Sequence, residues 1–207
     1  MRAYVYVDGL NLYYGALKGT PYKWLNLAEL CRLLLPKDEI VQIKYYTAVV
    51  DARADDPDAP TRQQFYLRAL RTIPNLSIYF GHFLTQERWL PLVSPQPKQP
   101  KKVRVYKTEE KGSDVNLATH LVRDGFRNEY EVAVVVTNDS DLLEPIRAVR
   151  HELALPVGLL NPHQKPSRAL LPHVTFIKQI RRGQLARSQF PNVLSDADGT
   201  FSKPPRW

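Results

Sequence analysis

Short apolar runs of four to eight residues recur along this chain, and helix-length amphipathic segments lie between them. A run that is apolar on both faces must be covered on both faces, and a sheet whose strands are joined by helical crossovers is parallel. The clearest case is Glu131 to Val136, where nearly unbroken β-branched residues suit the middle of such a sheet. The rhythm predicts an α/β fold, with a mainly parallel sheet and helices on both faces.

In chain order, Ala3 to Val7 is the expected first strand, and Asn26 to Leu35 a helix opened by an Asn cap and closed before Pro36. Ile40 to Val50 is the second strand. An acidic loop leads to a helix over Thr61 to Arg71, with Phe65, Ala69 and Leu70 inward and Arg62, Arg68 and Arg71 outward. Leu76 to Leu84 is the third strand. Between Trp89 and Lys102, four prolines and three lysines with little periodicity predict an exposed loop or hairpin excursion before a short strand, Val103 to Tyr106. Ser113 to Gly125 and Asp141 to His151 are expected helices, the latter with Pro145 in its first turn, where a missing N–H costs little. Leu155 to Leu160 and Val174 to Ile177 complete the sheet. Residues 1–178 form one expected domain, and 179–207 a basic tail, flexible or laid on the surface, with Phe190, Phe201 and Trp207 in it.

The formal charge of +8 favours a polyanionic partner, although a basic surface alone is equally compatible with simple solubility. Cys31 is the single cysteine, which excludes an intramolecular disulfide framework and a Cys-based zinc site. Leucines flank it, so it reads as a core thiol in a reducing, cytoplasmic setting. The first strand begins too early for a signal peptide, and no apolar run approaches the ~20 residues of a membrane span.

Function is signalled by where carboxylates fall. Asp8 follows the first strand, and the pair Asp139 and Asp141 follows Glu131 to Val136, so both locations are carboxyl ends of strands, the edge where open α/β sheets carry their sites. Asp114 opens the helix after Lys111-Gly112-Ser113 and is able to face the same edge. Taken singly, each is also a plausible helix cap or turn residue. Taken together, close like charges repel and raise one another's pKa unless a cation sits among them. Oxygen ligands without cysteine or a dense histidine cluster favour Mg²⁺ or Mn²⁺ over zinc, and such an ion suits phosphodiester hydrolysis. A receiver-like or phosphatase-like domain would need its acidic residues on other strands.

Three blocks then carry a resemblance: Tyr6-Val7-Asp8-Gly9-Leu10-Asn11-Leu12, Lys111-Gly112-Ser113-Asp114-Val115-Asn116-Leu117-Ala118-Thr119 and Val136-Thr137-Asn138-Asp139-Ser140-Asp141. They resemble the signature blocks of NYN-domain proteins, which belong to the PIN-like nucleases. The likeness spans roughly Met1 to Ile177. It implies a Rossmann-like, PIN-like fold and a metal-dependent (endo)ribonuclease site in which Asp8, Asp114, Asp139 and Asp141 bind metal or position water. Asn11 carries over as a polar site residue and Thr137 as a site-lining one. Many relatives have a further Asp where this chain has His120, which is therefore a site-lining candidate and a first departure from the pattern; the second is Asn138, in place of the glycine usual before the first Asp of the last block.

RNA is the expected partner, with Lys98, Lys101, Lys102, Arg104, Lys107 and Lys111 around the proline-rich excursion as backbone contacts and Tyr106 as a stacking ring. Arg181, Arg182 and Arg187 in the tail form a second basic candidate, ordered only on binding. Trp89, Phe83 and Tyr79 are expected in core or interface packing rather than as base platforms. The resemblance leaves room for a homodimer and for a regulatory protein partner. The competing expectation is a catalytically weakened RNA-binding or assembly module with the same fold, which His120 keeps open.

Overall fold

The computed structural model describes every residue except 53, 96–99 and 206, so the expected contact Lys98 lies outside the described residues. β1 (Arg2–Asp8) runs into one helical turn, α1 (Gly9–Leu12), which continues as a wider turn through Leu17. α2 (Leu27–Leu34) leads to β2 (Glu39–Ala48), and α3 (Ala59–Arg71) to the long β3 (Leu76–Pro91), which folds back as β4 (Lys102–Lys111). α4 (Ser113–Phe126) crosses to β5 (Val132–Val136), α5 (Leu143–Arg147) to β6 (Val157–Asn161), and β7 (Phe176–Gln179) ends the sheet. α6 (Arg182–Arg187) and a hairpin of β8 (Val193–Asp196) and β9 (Gly199–Ser202) follow.

The main sheet has the order β4-β3-β2-β1-β5-β6-β7, and every neighbouring pair is parallel except β3 with β4. From β1 the chain builds outward through β2 to β4, then returns to β1's other side and builds through β5 to β7. The crevice between the carboxyl ends of β1 and β5 is therefore the point where strand order reverses, the usual ligand position in open α/β sheets.

Why β5 is apolar on both faces is visible in the packing. Val132, Val134 and Val136 join one core with Ala3, Val5 and Val7 and the inward residues of α2 and α3, while Ala133 and Val135 join a second core with Tyr6, Leu117, Leu121 and Ile146. Period-two strands between two helical layers leave no position for a polar side chain. Asn26 caps α2 by accepting from the Glu29 amide at 3.2 Å, as its sequence position predicted.

Two expectations are corrected. β3 does not stop at Leu84: it runs to Pro91 and pairs residue for residue with β4 from His82–Lys111 to Pro91–Lys102, so the expected excursion is a hairpin whose strands are longer than the sequence indicated. Proline hid this, because Pro91 at a strand end removes only one donor from an exposed ribbon. Nor is the segment after Lys178 a loose or surface-laid tail. Leu185, Phe190 and Phe201 are buried against the first core, and the Trp24 indole donates to the Pro191 carbonyl at 2.9 Å. Arg68 grips Asp196 through two bonds of 2.6 and 2.7 Å. Wide spacing of these apolar residues concealed an element set that borrows its core from the domain. No helix among the described residues is long and apolar enough to cross a membrane.

Candidate functional site

Asp8 is the last residue of β1 and almost fully buried, at 5% exposure. Its Oδ1 accepts from the Asn11 amide at 2.9 Å and its Oδ2 from the Thr137 hydroxyl at 3.1 Å, so one carboxylate ties the end of β1 to the end of β5. Gly9 is required here by proximity rather than by turn geometry: a Cβ would come within 2.6 Å of the Tyr46 carbonyl. Burial first, then the charges of Asp114 and Asp139, push the Asp8 carboxyl up to about 7 in spite of its two donors.

Asp114 enters from the first turn of α4, after Gly112 caps that helix with a φ of 96°. It too is pushed above the usual carboxylate range, by desolvation and by Asp139, Glu110 and Asp141. Asp139 accepts from the Asp141 amide at 3.0 Å and caps the short helical turn that starts at Ser140, while its own amide donates to Thr137 at 3.1 Å. Asp8, Asp114 and Asp139 line one cleft of about 200 Å³, together with Leu10, Asn11, Tyr14, Glu110, Ser113 and His163.

Not every expected residue reaches that cleft. Asp141 is exposed and lines it no further than through its charge on Asp114. His120 faces elsewhere: its Nδ1 lies 2.9 Å from the Tyr46 hydroxyl and its ring meets Tyr79 edge-on at 4.4 Å. Six residues along a helix is not a whole number of turns, so a side chain at that spacing turns away from Asp114. Burial, then Arg123 and Lys44, lowers its pKa. The neighbouring Asp124 is fully buried; burial would raise its carboxyl, but Lys44 and Tyr6 hold it below the usual range.

The sequence reading missed Glu110 and His163. Glu110 resembled one more charge in a Glu-Glu-Lys run, but it accepts from the Ser113 amide at 3.0 Å and hydroxyl at 2.7 Å, clamping the start of α4 beside the cleft. His163 lies two residues past β6, at the same carboxyl edge that marked Asp8, and that rule applied to β6 would have found it. Its Nε2 is 3.1 Å from Asn11 Oδ1, which also accepts from the Asn138 amide at 2.9 Å. Asn11 is thus a bracket between α1 and the loops after β5 and β6. Thr137 is fully buried beneath it.

Donors here are hard carboxylate oxygens, with Cys31 buried away from them in the first core. Burial is the first cause of the upward displacement of Asp8 and Asp114, and the charges of neighbouring carboxylates add to it. The carboxylates share the cleft without meeting at a point: among the described residues no three His, Cys, Asp or Glu side chains stand together as a metal-binding group.

A family model described as the NYN domain matches residues 2–178. The chain belongs to the NYN-domain family of PIN-like nucleases. That membership gives this NYN domain a nuclease or RNA-related function in broad terms. It is 30% identical over 238 aligned positions to the 6-hydroxy-3-succinoylpyridine 3-monooxygenase HspA of Pseudomonas putida, covering all of this chain and 75% of that one. A crystal structure of a protein of unknown function from Vibrio parahaemolyticus superposes with a TM-score of 0.58 at 13% identity, over 87% of this chain and 93% of that one, and so supports the fold.

Proposed function

We propose that this chain is a divalent-metal-dependent ribonuclease that hydrolyses RNA phosphodiester bonds at the β1–β5 crevice. The observation that carries the reading is the gathering of Asp8, Asp114 and Asp139, from three distant segments, around one cleft of a nuclease-family fold. Asp8, Asp114 and Asp139 would hold Mg²⁺ or Mn²⁺, with small rotations of the half-buried pair, and Asp141 and Glu110 would add charge at the rim. When bound, the ion supplies Lewis acidity, lowering the pKa of an attacking water and neutralising charge on the phosphate. Thr137 and the Asn11 amide fix the Asp8 carboxylate, and His163 fixes Asn11, so the site is held by its supports before substrate arrives. RNA is the proposed partner and a reducing cytoplasm the proposed setting.

The test is cleavage of a labelled single-stranded RNA by the purified chain in Mg²⁺ or Mn²⁺. Cleavage is expected to vanish with EDTA and in Asp8→Asn and Asp139→Asn. Activity surviving both substitutions would refute the site; salt-sensitive binding without turnover under any divalent metal would favour the binding-module alternative.

A second reading follows from the relative that matches the whole chain and is named a monooxygenase. It assigns this chain oxidation of a hydroxypyridine at the same cleft. Oxygen uptake on adding 6-hydroxy-3-succinoylpyridine and a reductant, with RNA left intact, would establish it over the ribonuclease reading.

A further inference from the structure

β3 pairs with β2 only from Leu76 to Gly81; beyond that, residues 82–91 and 102–111 pair with each other alone. They form a two-stranded arm that leaves the sheet at its carboxyl edge, the edge that carries the cleft, and extends roughly 30 Å at ~3.3 Å per residue.

The register sorts the arm into two faces. One carries Phe83 and Glu110, then Thr85 and Thr108, Glu87 and Tyr106, Trp89 and Arg104, Pro91 and Lys102; the other carries Leu84, Gln86, Arg88 and Leu90 with Val103, Val105, Lys107 and Glu109. The first face begins at the cleft, because Glu110 lines it, and a Cβ on Gly81 would overlap the Glu110 carboxylate on that side. Farther out it exposes two large aromatics on diagonal positions, Trp89 at 65% and Tyr106 at 76%. Diagonal neighbours on a ribbon lie within reach of one another's rings. Lys102 and Arg104 stand beside them, Arg104 in an exposed ion pair with Glu87 of the same face. On the second face Lys107 and Lys111 are both engaged by Glu109.

Charge decides what such a face suits. Residues 76–111 hold seven Lys and Arg against three Glu, Arg104 and Lys102 sharing the first face itself with Glu87 and Glu110, while the cleft at the arm's base is lined by carboxylates. A polyanion repelled at the cleft needs cations just outside it, and exposed rings flanked by cations are how proteins hold unpaired bases. A duplex keeps its base faces stacked within itself and offers none to a ring.

We propose that the Glu110 face of the arm is a binding track for single-stranded RNA, on which Trp89 and Tyr106 stack bases and Arg104 and Lys102 meet phosphates. The strand runs from Trp89 to the cleft, roughly 20 Å away along β4, a span suited to ~4 or more nucleotides. This revises the sequence-based assignments. Trp89 is a base platform rather than a packing residue, and Lys107 and Lys111 lie off the track. The direction of the strand rests on the ribonuclease reading of the cleft; binding by the arm does not.

The test is fluorescence anisotropy of a labelled twelve-residue oligouridine RNA with the full chain in EDTA, which prevents turnover. Trp89→Ala and Tyr106→Ala are each expected to weaken binding on the order of tenfold, with unchanged circular dichroism. Leu84→Ala and Leu90→Ala on the opposite face, and Phe126→Ala on α4, are expected to stay within about twofold. The proposal is overturned if the wild-type chain does not bind, if Trp89→Ala binds like wild type, if the opposite-face variants lose as much, or if duplex RNA binds as tightly. Sedimentation showing that Trp89→Ala splits a dimer while RNA affinity holds would likewise overturn it and make the arm a self-association surface. A chain that binds through Trp89 yet cleaves nothing with any metal would uphold the arm and remove only the ribonuclease reading.

Discussion

Replacing Asp8 with asparagine should make the metal-free protein more stable while it abolishes cleavage. The Asp8 carboxyl is raised from 3.8 to about 7, foremost by burial and then by Asp114 and Asp139. A carboxyl raised in the folded state favours folding most when protonated. Below the unfolded value near pH 4 it is protonated in both states, and between pH ~4 and ~7 the folded state keeps a proton that the unfolded chain releases. Stability is therefore lost as pH rises through that window, and above it the full cost is carried. Three pH units at ~1.36 kcal/mol each come to about 4 kcal/mol, undiminished by solvent because the side chain is buried. The amide of the Asp8→Asn variant would keep an acceptor for the Asn11 backbone N–H without the charge. Urea unfolding in EDTA should show Asp8→Asn ahead of wild type by about 4 kcal/mol at pH 8 and by about 1–2 kcal/mol at pH 5. Millimolar Mg²⁺ should stabilise wild type alone and close part of the gap. A variant no more stable than wild type at pH 8, or a gap that ignores pH, would refute the claim that this cleft stores uncompensated charge.

Three further outcomes are expected. His163→Ala, which releases the side chain of Asn11, should lower kcat on RNA about 10–100-fold with little change in melting temperature, as loss of a supporting group does. His120→Asp should not raise activity, because His120 serves Tyr46 rather than the cleft; a new carboxylate beside buried Asp124 should instead cost about 1–3 kcal/mol in urea unfolding. Phe201→Ala should cost about 3–5 kcal/mol, because its ring is buried and carries the Arg68 guanidinium 4.2 Å from its centroid; a loose tail would predict no change.

Legibility of the fold tracked how local each signal was. Glu131 to Val136 could be placed because every residue in it answers to the same constraint, burial on two faces, and Asn26 because a cap acts over three residues. The arm was read short because β3 beyond Gly81 has no core to pattern it: both faces are exposed, so alternation carries no hydrophobic code. The region after Lys178 was read as a tail for the opposite reason. Phe190, Phe201 and Trp207 lie far apart in sequence, and their partners, Trp24 for Phe190 and Trp207 and Arg68 for Phe201, lie more than a hundred residues earlier in the chain. Contacts of that span leave no period in a sequence.

The candidate site divides along the same line, and the division explains its chemistry. Residues that sit where a strand ends, Asp8 and Asp139, follow from topology once the strands are known, because the order reversal at β1 and β5 forces their segments together. Helix phase, by contrast, decides His120: the family resemblance made it a site-lining candidate, but at 3.6 residues per turn the ring is carried to Tyr46 and Tyr79. His163 is subtler, since the chain must pass β6 and bend back before its imidazole meets Asn11. Asn11 lines the cleft and also holds the loop after β5 against the loop after β6, and Asp8 through its backbone amide. A cleft built this way places its charge at strand ends, where the sheet fixes it, and delegates alignment to uncharged Thr137 and Asn11 beneath. Charge buried at a strand end is charge that a cation or a proton must answer, and that burial, ahead of the neighbouring carboxylates, is what makes Asp8 the most displaced carboxyl of the site.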